Sequence, residues 1–439
     1  MSHRFSRRQF LSASAASASA LALGAYANPA PAQESKLPSE RLRIAAVGTT
    51  GRAAGNLSDL ASQDIVALAD VDANLLDKGA AKFPSARKYR DYRVMLEREA
   101  GNIDAVLVAT PDHSHAPAAA MAMRLGKHCY CEKPLTHTVF EARTLANLAK
   151  EKKLVTQMGT QIHAGDNYRR VVELIQAGAI GPVEEVYVWV TAQYTGARFT
   201  TGTPVPDGLD WDLWLGPAPQ RPYSDGVHPF TWRKFWDYGT GALGDFGCHY
   251  MDLVHWALDL RAPAVVEASG PEYDPVSCPA WCLVNYEYPA RGKLPAVKLH
   301  WCDSGKQPEI AGKIKVGDKS VGEAFKSAQL FIGREGMLIS DYNRHVLLPE
   351  DKFADFKRPA QSIPNSIGHH REWVEAIKSG GKTTCNFDYS GALTEAVLLG
   401  TVAYRSGRRI EWDAEKLTVK SAPDAQQFVH KEYRKGWTL

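Results

Sequence analysis

The sequence predicts an α/β protein of two domains, a parallel, doubly wound N-terminal domain and a C-terminal α+β domain on a large, mostly antiparallel sheet. Three observations predict it. An apolar strand at residues 42–47 runs into the glycine-rich turn Gly48-Thr49-Thr50-Gly51-Arg52-Ala53-Ala54-Gly55. The next strand ends on an acid, Asp70, 22 residues beyond Gly48. Two later strands end in Ala109-Thr110-Pro111 and Glu132-Lys133-Pro134. In an open parallel sheet, ligands sit beyond the carboxyl ends of the strands, so these segments are expected to share one crevice.

At 439 residues the chain is long enough for two cores. A net charge of +3 is too weak to argue for a nucleic acid or a membrane surface as partner. Seven cysteines cannot form a complete disulfide framework and read as small buried residues. Ser6-Arg7-Arg8-Gln9-Phe10-Leu11 is a twin-arginine pattern, and the weakly apolar stretch after it is too short and too poor in large side chains to span a bilayer. Ala30-Pro31-Ala32 offers the cleavage site, with Ala25-Tyr26-Ala27 competing. Residues 1–32 therefore read as a signal that exports a folded protein to the periplasm or another extracytoplasmic space, with no membrane insertion after cleavage. Such export suits a cofactor loaded in the cytoplasm. Residues 33–41 are a polar linker.

Residues 42–158 read as a Rossmann domain. After the first strand, a helix through about Ser62 presents its N-terminal amides to a pyrophosphate. Gly48, Gly51 and Arg52 belong to this turn, Thr50 stands where the second glycine of G-x-G-x-x-G belongs, and Ala53 takes the third position. Asp70 is placed to bind the adenosine ribose hydroxyls, and no arginine directly follows it to welcome a 2′-phosphate. NAD is therefore favoured over NADP. The strand at 105–109 stops at Thr110-Pro111, a helix at 116–125 ends on Gly126, and the strand His128–Cys131 delivers Glu132-Lys133-Pro134. Thr110, Pro111, His115, Glu132 and Lys133 are expected along the cofactor. An amphipathic helix at 142–152 and a strand at 154–158 complete the domain.

The second domain, 159–439, carries the other polar motif, GTGALGDFGCHYMD at 239–252. Asp245 and His249 are four apart and share a helix face, which Asp252 and Trp256 extend. A histidine beside a carboxylate and a lysine can move a proton while a hydride moves, and the Lys133 cation would stabilise a developing alkoxide. Gln161, His163, Tyr168, Arg169, Tyr223, Trp232 and Arg233 offer the aromatic faces and fork donors a sugar site needs, with Asp252 beside them. Trp211–Pro217 reads as a packed loop. His113-x-His115 and Cys129-x-Cys131 lack metal-site spacing, so no metal is expected. Short runs from 264 to 341 predict the antiparallel sheet, one face of which is expected to pair with another subunit in a dimer or tetramer. Residues 366–379 and 390–404 read as helices, the second packing against the first domain.

The glycine turn, Asp70, ATPDHSH, EKP and D-x-x-x-H together resemble the glucose–fructose oxidoreductase / inositol dehydrogenase / MocA (Gfo/Idh/MocA) family, from Leu42 onward. The resemblance implies an enzyme carrying NAD(H) and moving a hydride between nicotinamide and a ring hydroxyl of a sugar, glycoside or cyclic polyol. It implies Lys133, Asp245 and His249 as the catalytic groups, and a cis Lys133-Pro134 bond. Export of the loaded protein adds the expectation of a tightly held cofactor. The alternative is an NAD-dependent glycoside hydrolase working by oxidation, elimination, hydration and reduction, and a third reading is a non-catalytic sugar or NAD sensor. No sequence feature separates the first two.

Overall fold

The computed structural model describes residues 41–439, so the twin-arginine pattern and its cleavage site lie outside the described residues. The first sheet holds β1 (Arg43–Val47), β2 (Asp64–Ala69), β3 (Arg87–Tyr89), β4 (Ala105–Val108), β5 (His128–Cys131) and β6 (Thr156–Met158). All its pairings are parallel, in the order β3-β2-β1-β4-β5-β6. The central strands are continuous apolar runs because helices cover both faces. The chain leaves β1 towards β2 on one side and towards β4 on the other, so a crevice opens at the ends of β1, β2 and β4.

Helices α1 (Arg52–Asp59), α2 (Ala73–Ala80), α3 (Tyr92–Glu99), α4 (His115–Arg124) and α5 (Val139–Glu151) connect these strands. Helix α1 stops short of Ser62: the Leu60 amide still donates to the Asn56 carbonyl, but the Ala61 amide tightens onto the Ser58 carbonyl three residues back. Helix α5 begins at a Thr138–Glu141 capping box.

After α6 (Asp166–Gln176) comes β7 (Val183–Trp189), then a long excursion carrying α7 (Trp211–Leu215), then α8 (Gly241–Leu258). The remaining strands are β8 (Val265–Ser269), β9 (Leu283–Tyr288), β10 (Val297–Cys302), β11 (Lys315–Val316), β12 (Lys319–Ser320), β13 (Ala328–Gly333), β14 (Gly336–Ser340), β15 (His345–Leu348), β16 (Ile410–Asp413) and β17 (Thr418–Val419). The helices among them are α9 (Val321–Ala324), α10 (His369–Ser379) and α11 (Phe387–Ser406). Nine strands form the second sheet in the order β15-β14-β13-β7-β10-β9-β8-β16-β17, and only β7–β10 is parallel.

Strand β7 lies in mid-sheet, yet the sequence reading passes over it, because Glu184 and Glu185 break its apolar run. Its register explains them: Glu185 and Tyr187 lie on the sheet's open face, where His300 contacts Glu185 at 3.1 Å and Asn285 at 2.6 Å and stacks on Tyr187, while Glu184 sits exposed at a register irregularity opposite β13 and pairs with Arg334. Helix α11 starts before Ser390 because the Asn386 side chain accepts from the amides of Asp388 and Tyr389. As expected, α11 packs on the first domain, where a Cβ on Gly391 would lie 3.1 Å from that of Ala146. Among the described residues no helix is long and apolar enough to cross a membrane.

The buried face of α8 meets α11 at Gly247, where an added Cβ would lie 2.8 and 3.0 Å from the two methyls of Val397. Valine is stiff about χ1 and cannot move aside cheaply. Gly247→Ala is therefore expected to lower stability by about 1–3 kcal/mol. Repeating the change in a Val397→Ala background should cost markedly less, and the coupling is read from denaturant midpoints.

Candidate active site

The crevice is built from strand ends. Gly48 follows β1 with φ +93°, and a Cβ there would lie 2.5 Å from the Ala109 carbonyl oxygen after β4. Gly51 has φ +60°, and its added Cβ would meet nothing within 4 Å. Gly51 is the N-cap of α1, and no side chain caps that helix's first amides. A glycine-lined, uncapped helix N-terminus at the switch point of a parallel sheet suits a pyrophosphate, so these residues fit a dinucleotide.

Asp70 stands at the end of β2. Its carboxylate accepts from the Thr49 amide (3.1 Å), the Thr49 hydroxyl (2.7 Å) and the Asp72 amide (3.1 Å). Burial raises its pKa, and the Thr49 hydrogen bonds oppose the rise. Thr49, not Thr50, is thus the threonine that braces the acid; Thr50 is half-buried beside it. Thr110 and Pro111 are half-buried at the end of β4. His115 is buried, its ring nitrogens 2.8 Å from the carbonyls of Pro134 and Thr110, so it staples two crevice loops together.

Glu132 is buried at the end of β5. Its Oε1 accepts from Arg52 (3.2 Å), Asn56 (2.8 Å) and Gln161 (2.9 Å), joining α1 to the chain after β6. Lys133 precedes a cis proline. Its ammonium donates to Asp245 Oδ1 at 2.7 Å and to the Asp245 carbonyl at 3.2 Å, with side chains only 14% and 7% exposed. Arg233 Nε lies 3.6 Å from the same Asp245 oxygen. Burial alone would raise the Asp245 carboxyl, yet the Lys133 and Arg233 cations hold it below its ordinary value. One turn along α8, His249 has its pKa lowered to about 3 by burial and then by the Lys133 cation, so its ring is neutral. Its Nδ1 is buried without a partner.

Asp112 joins this cluster, although the sequence reading did not select it. It is 2% exposed; its Oδ2 accepts from the Thr240 hydroxyl at 2.8 Å, and its Oδ1 has no partner. Burial and then the Asp245 charge raise its pKa to about 7. The signal was present: an acid directly after the proline that ends β4. Tyr194 also faces Asp245 and Arg233, and burial followed by the Asp245 charge raises its hydroxyl.

The other substrate candidates lie elsewhere. His163 bonds Asp252 at 2.9 Å, stacks on Trp256 at 4.0 Å, and is buried with it beneath α8, where Tyr389 also donates to Asp252. Cys385 lies within 4.8 Å of both, but Asp252 is already occupied by these two donors. Tyr168 is buried and donates to the His249 carbonyl. Arg169 is tied to Glu372 and the Pro364 carbonyl. Tyr223 and Trp232 are buried in an aromatic cluster with Trp211, Trp214 and Tyr238, which makes the Trp211–Leu215 segment core, as expected.

That cluster belongs to the excursion after β7, which touches both lips of the crevice. On the β2 side, Ala73 N donates to Gly208 O (2.9 Å), Asp210 N to Val71 O (2.9 Å), and His228 contacts Asp72 (3.2 Å). On the β4 side, His113 meets the carbonyls of Trp214 (3.0 Å) and Tyr238 (3.3 Å).

Fold and crevice define a dinucleotide-binding α/β protein with a separate α+β domain completing its polar cluster. Residues 42–160 match the oxidoreductase family's NAD-binding Rossmann fold, and residues 174–295 match its C-terminal alpha/beta domain. The chain belongs to the Gfo/Idh/MocA oxidoreductase family, and its cofactor is NAD. It is similar to levoglucosan dehydrogenase of Pseudarthrobacter phenanthrenivorans, 27% identical over 43% of this chain and 41% of that one. A glycosyl hydrolase family 109 protein of Shewanella pealeana is 27% identical over 32% of this chain and 33% of its own. The chain spans less than half the length of the curated relatives it matches. Among solved structures, the WlbA dehydrogenase of Bordetella pertussis, in complex with NADH and UDP-GlcNAcA, superposes with a TM-score of 0.59 at 16% identity, over 85% of this chain and 99% of that one.

The buried Asp112 carboxyl makes a prediction about pH. Its folded pKa of about 7 exceeds the ordinary 3.8, so the native state binds the extra proton between those values. Its contribution to stability is complete below 3.8 and is lost as pH rises towards about 7. Asp112→Asn should flatten the fall in stability across that window, read as denaturant midpoints against pH. An unaltered slope would contradict the assignment.

Proposed function

We propose that the protein is an exported, NAD(H)-dependent oxidoreductase acting on a ring hydroxyl of a sugar, glycoside or cyclic polyol. The observation that carries this reading is the Lys133–Asp245 pair with neutral His249 beside it at the crevice mouth. NAD, held by the Gly48–Arg52 turn and by Asp70, would supply the hydride acceptor. The residues do the remaining work. Asp245 fixes the Lys133 ammonium, which donates to the reacting oxygen and stabilises charge that develops on it. His249, uncharged, takes the hydroxyl proton and returns it in the reverse direction. Glu132 locks α1 to the lysine's strand, so the phosphate turn and the reacting groups keep their spacing.

The cofactor is held tightly in this proposal, and the excursion supports it. Bound at both the β2 and β4 lips, residues 206–238 roof the place where the adenosine half belongs. The open face of the second sheet, with Glu185, Tyr187, Asn285 and His300, is our candidate for the contact between subunits.

The second reading, a glycosidase that oxidises, eliminates, hydrates and reduces, is supported by the similarity to the family 109 protein. It uses the same cofactor and the same lysine. Release of aglycone from a nitrophenyl glycoside with no acceptor added would favour it.

Three outcomes test the proposal. Denaturing the mature protein purified from the periplasm should release stoichiometric nicotinamide; activity wholly dependent on added NAD would refute tight retention. Lys133→Ala should lower turnover by about 10²–10³-fold while circular dichroism stays native, and unchanged turnover would remove the lysine from the reaction. Asp70→Ala should weaken NAD and narrow its advantage over NADP, read by titration of apoprotein; tighter NADP binding by the wild type would overturn the cofactor choice.

A further inference from the structure

Phe230 is the feature that neither the fold nor the proposed reaction uses. It is 58% exposed, while the other aromatic residues of its segment are buried. Leaving a phenyl ring in water forfeits burial that its neighbours Trp232, Phe235 and Tyr238 obtain. Its position relates it to the active site. The Arg233 guanidinium carbon lies 4.5 Å from the Phe230 ring centre and 4.2 Å from that of Trp232, so the cation is held by two aromatic faces. The same arginine reaches Asp245 at 3.6 Å, and Asp245 holds Lys133 at 2.7 Å. Phe230 therefore stands one arginine's length outside the reacting groups. Tyr194, which faces Asp245, meets the Phe230 ring edge-on at 6.4 Å.

The turn that carries the ring is also tied. Trp232 N donates to Val227 O at 2.9 Å, the Trp232 indole to Pro229 O at 3.1 Å, and the Thr231 hydroxyl to Gly226 O. Arg233 Nη1 donates to Phe230 O at 3.3 Å. Gly239 packs against Arg233, where a Cβ would lie 2.6 Å from Arg233 Cα. An exposed ring on a tied turn, flanked by a guanidinium and a phenol, matches the needs of a pyranose or aryl group: a flat apolar face for its C–H side and donors at its rim.

We propose that Phe230, with Arg233 and Tyr194 at its rim, forms an outer subsite that binds the second ring of a glycoside whose first ring reacts at Lys133. The inference rests on the reaction proposed above and narrows its substrate to glycosides carrying a ring beyond the glycosidic bond, excluding free cyclic polyols as preferred substrates.

The test compares phenyl with methyl glycosides of glucose, galactose and mannose on the holoenzyme. Reduction of bound nicotinamide gives efficiency, and isothermal titration gives affinity. The wild type should favour phenyl over methyl glycosides, and Phe230→Ala should lower that ratio about tenfold, mainly through KM, with a matching loss of phenyl-glycoside affinity. Phe230→Trp should restore the preference, which separates a lost face from a disturbed loop. A wild type indifferent to the phenyl group, or a ratio unmoved in Phe230→Ala, overturns the subsite. Phenyl-glycoside binding that depends on Phe230 without any nicotinamide reduction would support the subsite and sink the reaction.

Discussion

The pairing of Lys133 with Asp245 constrains the whole molecule. Both side chains are mostly out of water, so each charge needs the other, and a buried ion stripped of its partner is costly. Lys133 ends a strand of the first domain and Asp245 sits on α8 of the second, so the pair is satisfied only when the domains are packed in one arrangement. Neighbouring contacts enforce it: Thr240 at the start of α8 donates to Asp112 at the end of β4, and His137 contacts the Gly239 carbonyl at 3.1 Å. The crevice is thus assembled by the same interaction that would orient the reacting cation.

The parts of this site that were legible in the sequence are those where backbone geometry dictates residue type. Glycines at positive φ, a proline ending a strand, an acid at the next strand's end and an i, i+4 pair on a helix all leave local marks. Hence five of the six parallel strands, the phosphate turn, Lys133, Asp245 and His249 come together as expected, whereas β3 (Arg87–Tyr89), a three-residue edge strand, left no apolar run to read. Side-chain type alone was a poorer guide. Tyr223, Trp232, His163, Tyr168, Arg169 and Asp252 are the kinds of residue a sugar site uses, but each is buried in packing or in a closed polar network. Among the substrate candidates Gln161 and Arg233 reach the cluster's side chains, through Glu132 and Asp245, whereas Tyr168 touches only the His249 backbone. Whether an aromatic residue faces core or crevice depends on the path of the excursion after β7, which has no periodicity to read. Strand β7 itself was hidden because two consecutive glutamates break its apolar run, Glu185 on the open face and Glu184 at a register irregularity opposite β13, and its partner strands are distant in sequence.

Enclosure connects the chemistry to the fold. The excursion is anchored to Val71–Ala73 on one lip and to His113 on the other, and under the retention proposed above these contacts would have to break at one lip before a nucleotide could leave. A slow opening of this kind would favour cycles in which the hydride is returned on the same protein molecule. Two such cycles exist: a second substrate can take the hydride, or the first can recover it after elimination and hydration. They differ in proton demand. Simple alcohol oxidation needs one proton acceptor, for the hydroxyl on the carbon that gives up the hydride, whereas elimination also needs a base for the C–H of the neighbouring carbon. His249 is neutral beside the Lys133–Asp245 pair, and Asp112 presents an unpartnered, buried oxygen held near the midpoint of its ionisation at neutral pH. The donor set therefore accommodates either cycle. The choice between them turns on whether a leaving group lies on the far side of the reacting ring, where the Phe230 face is exposed.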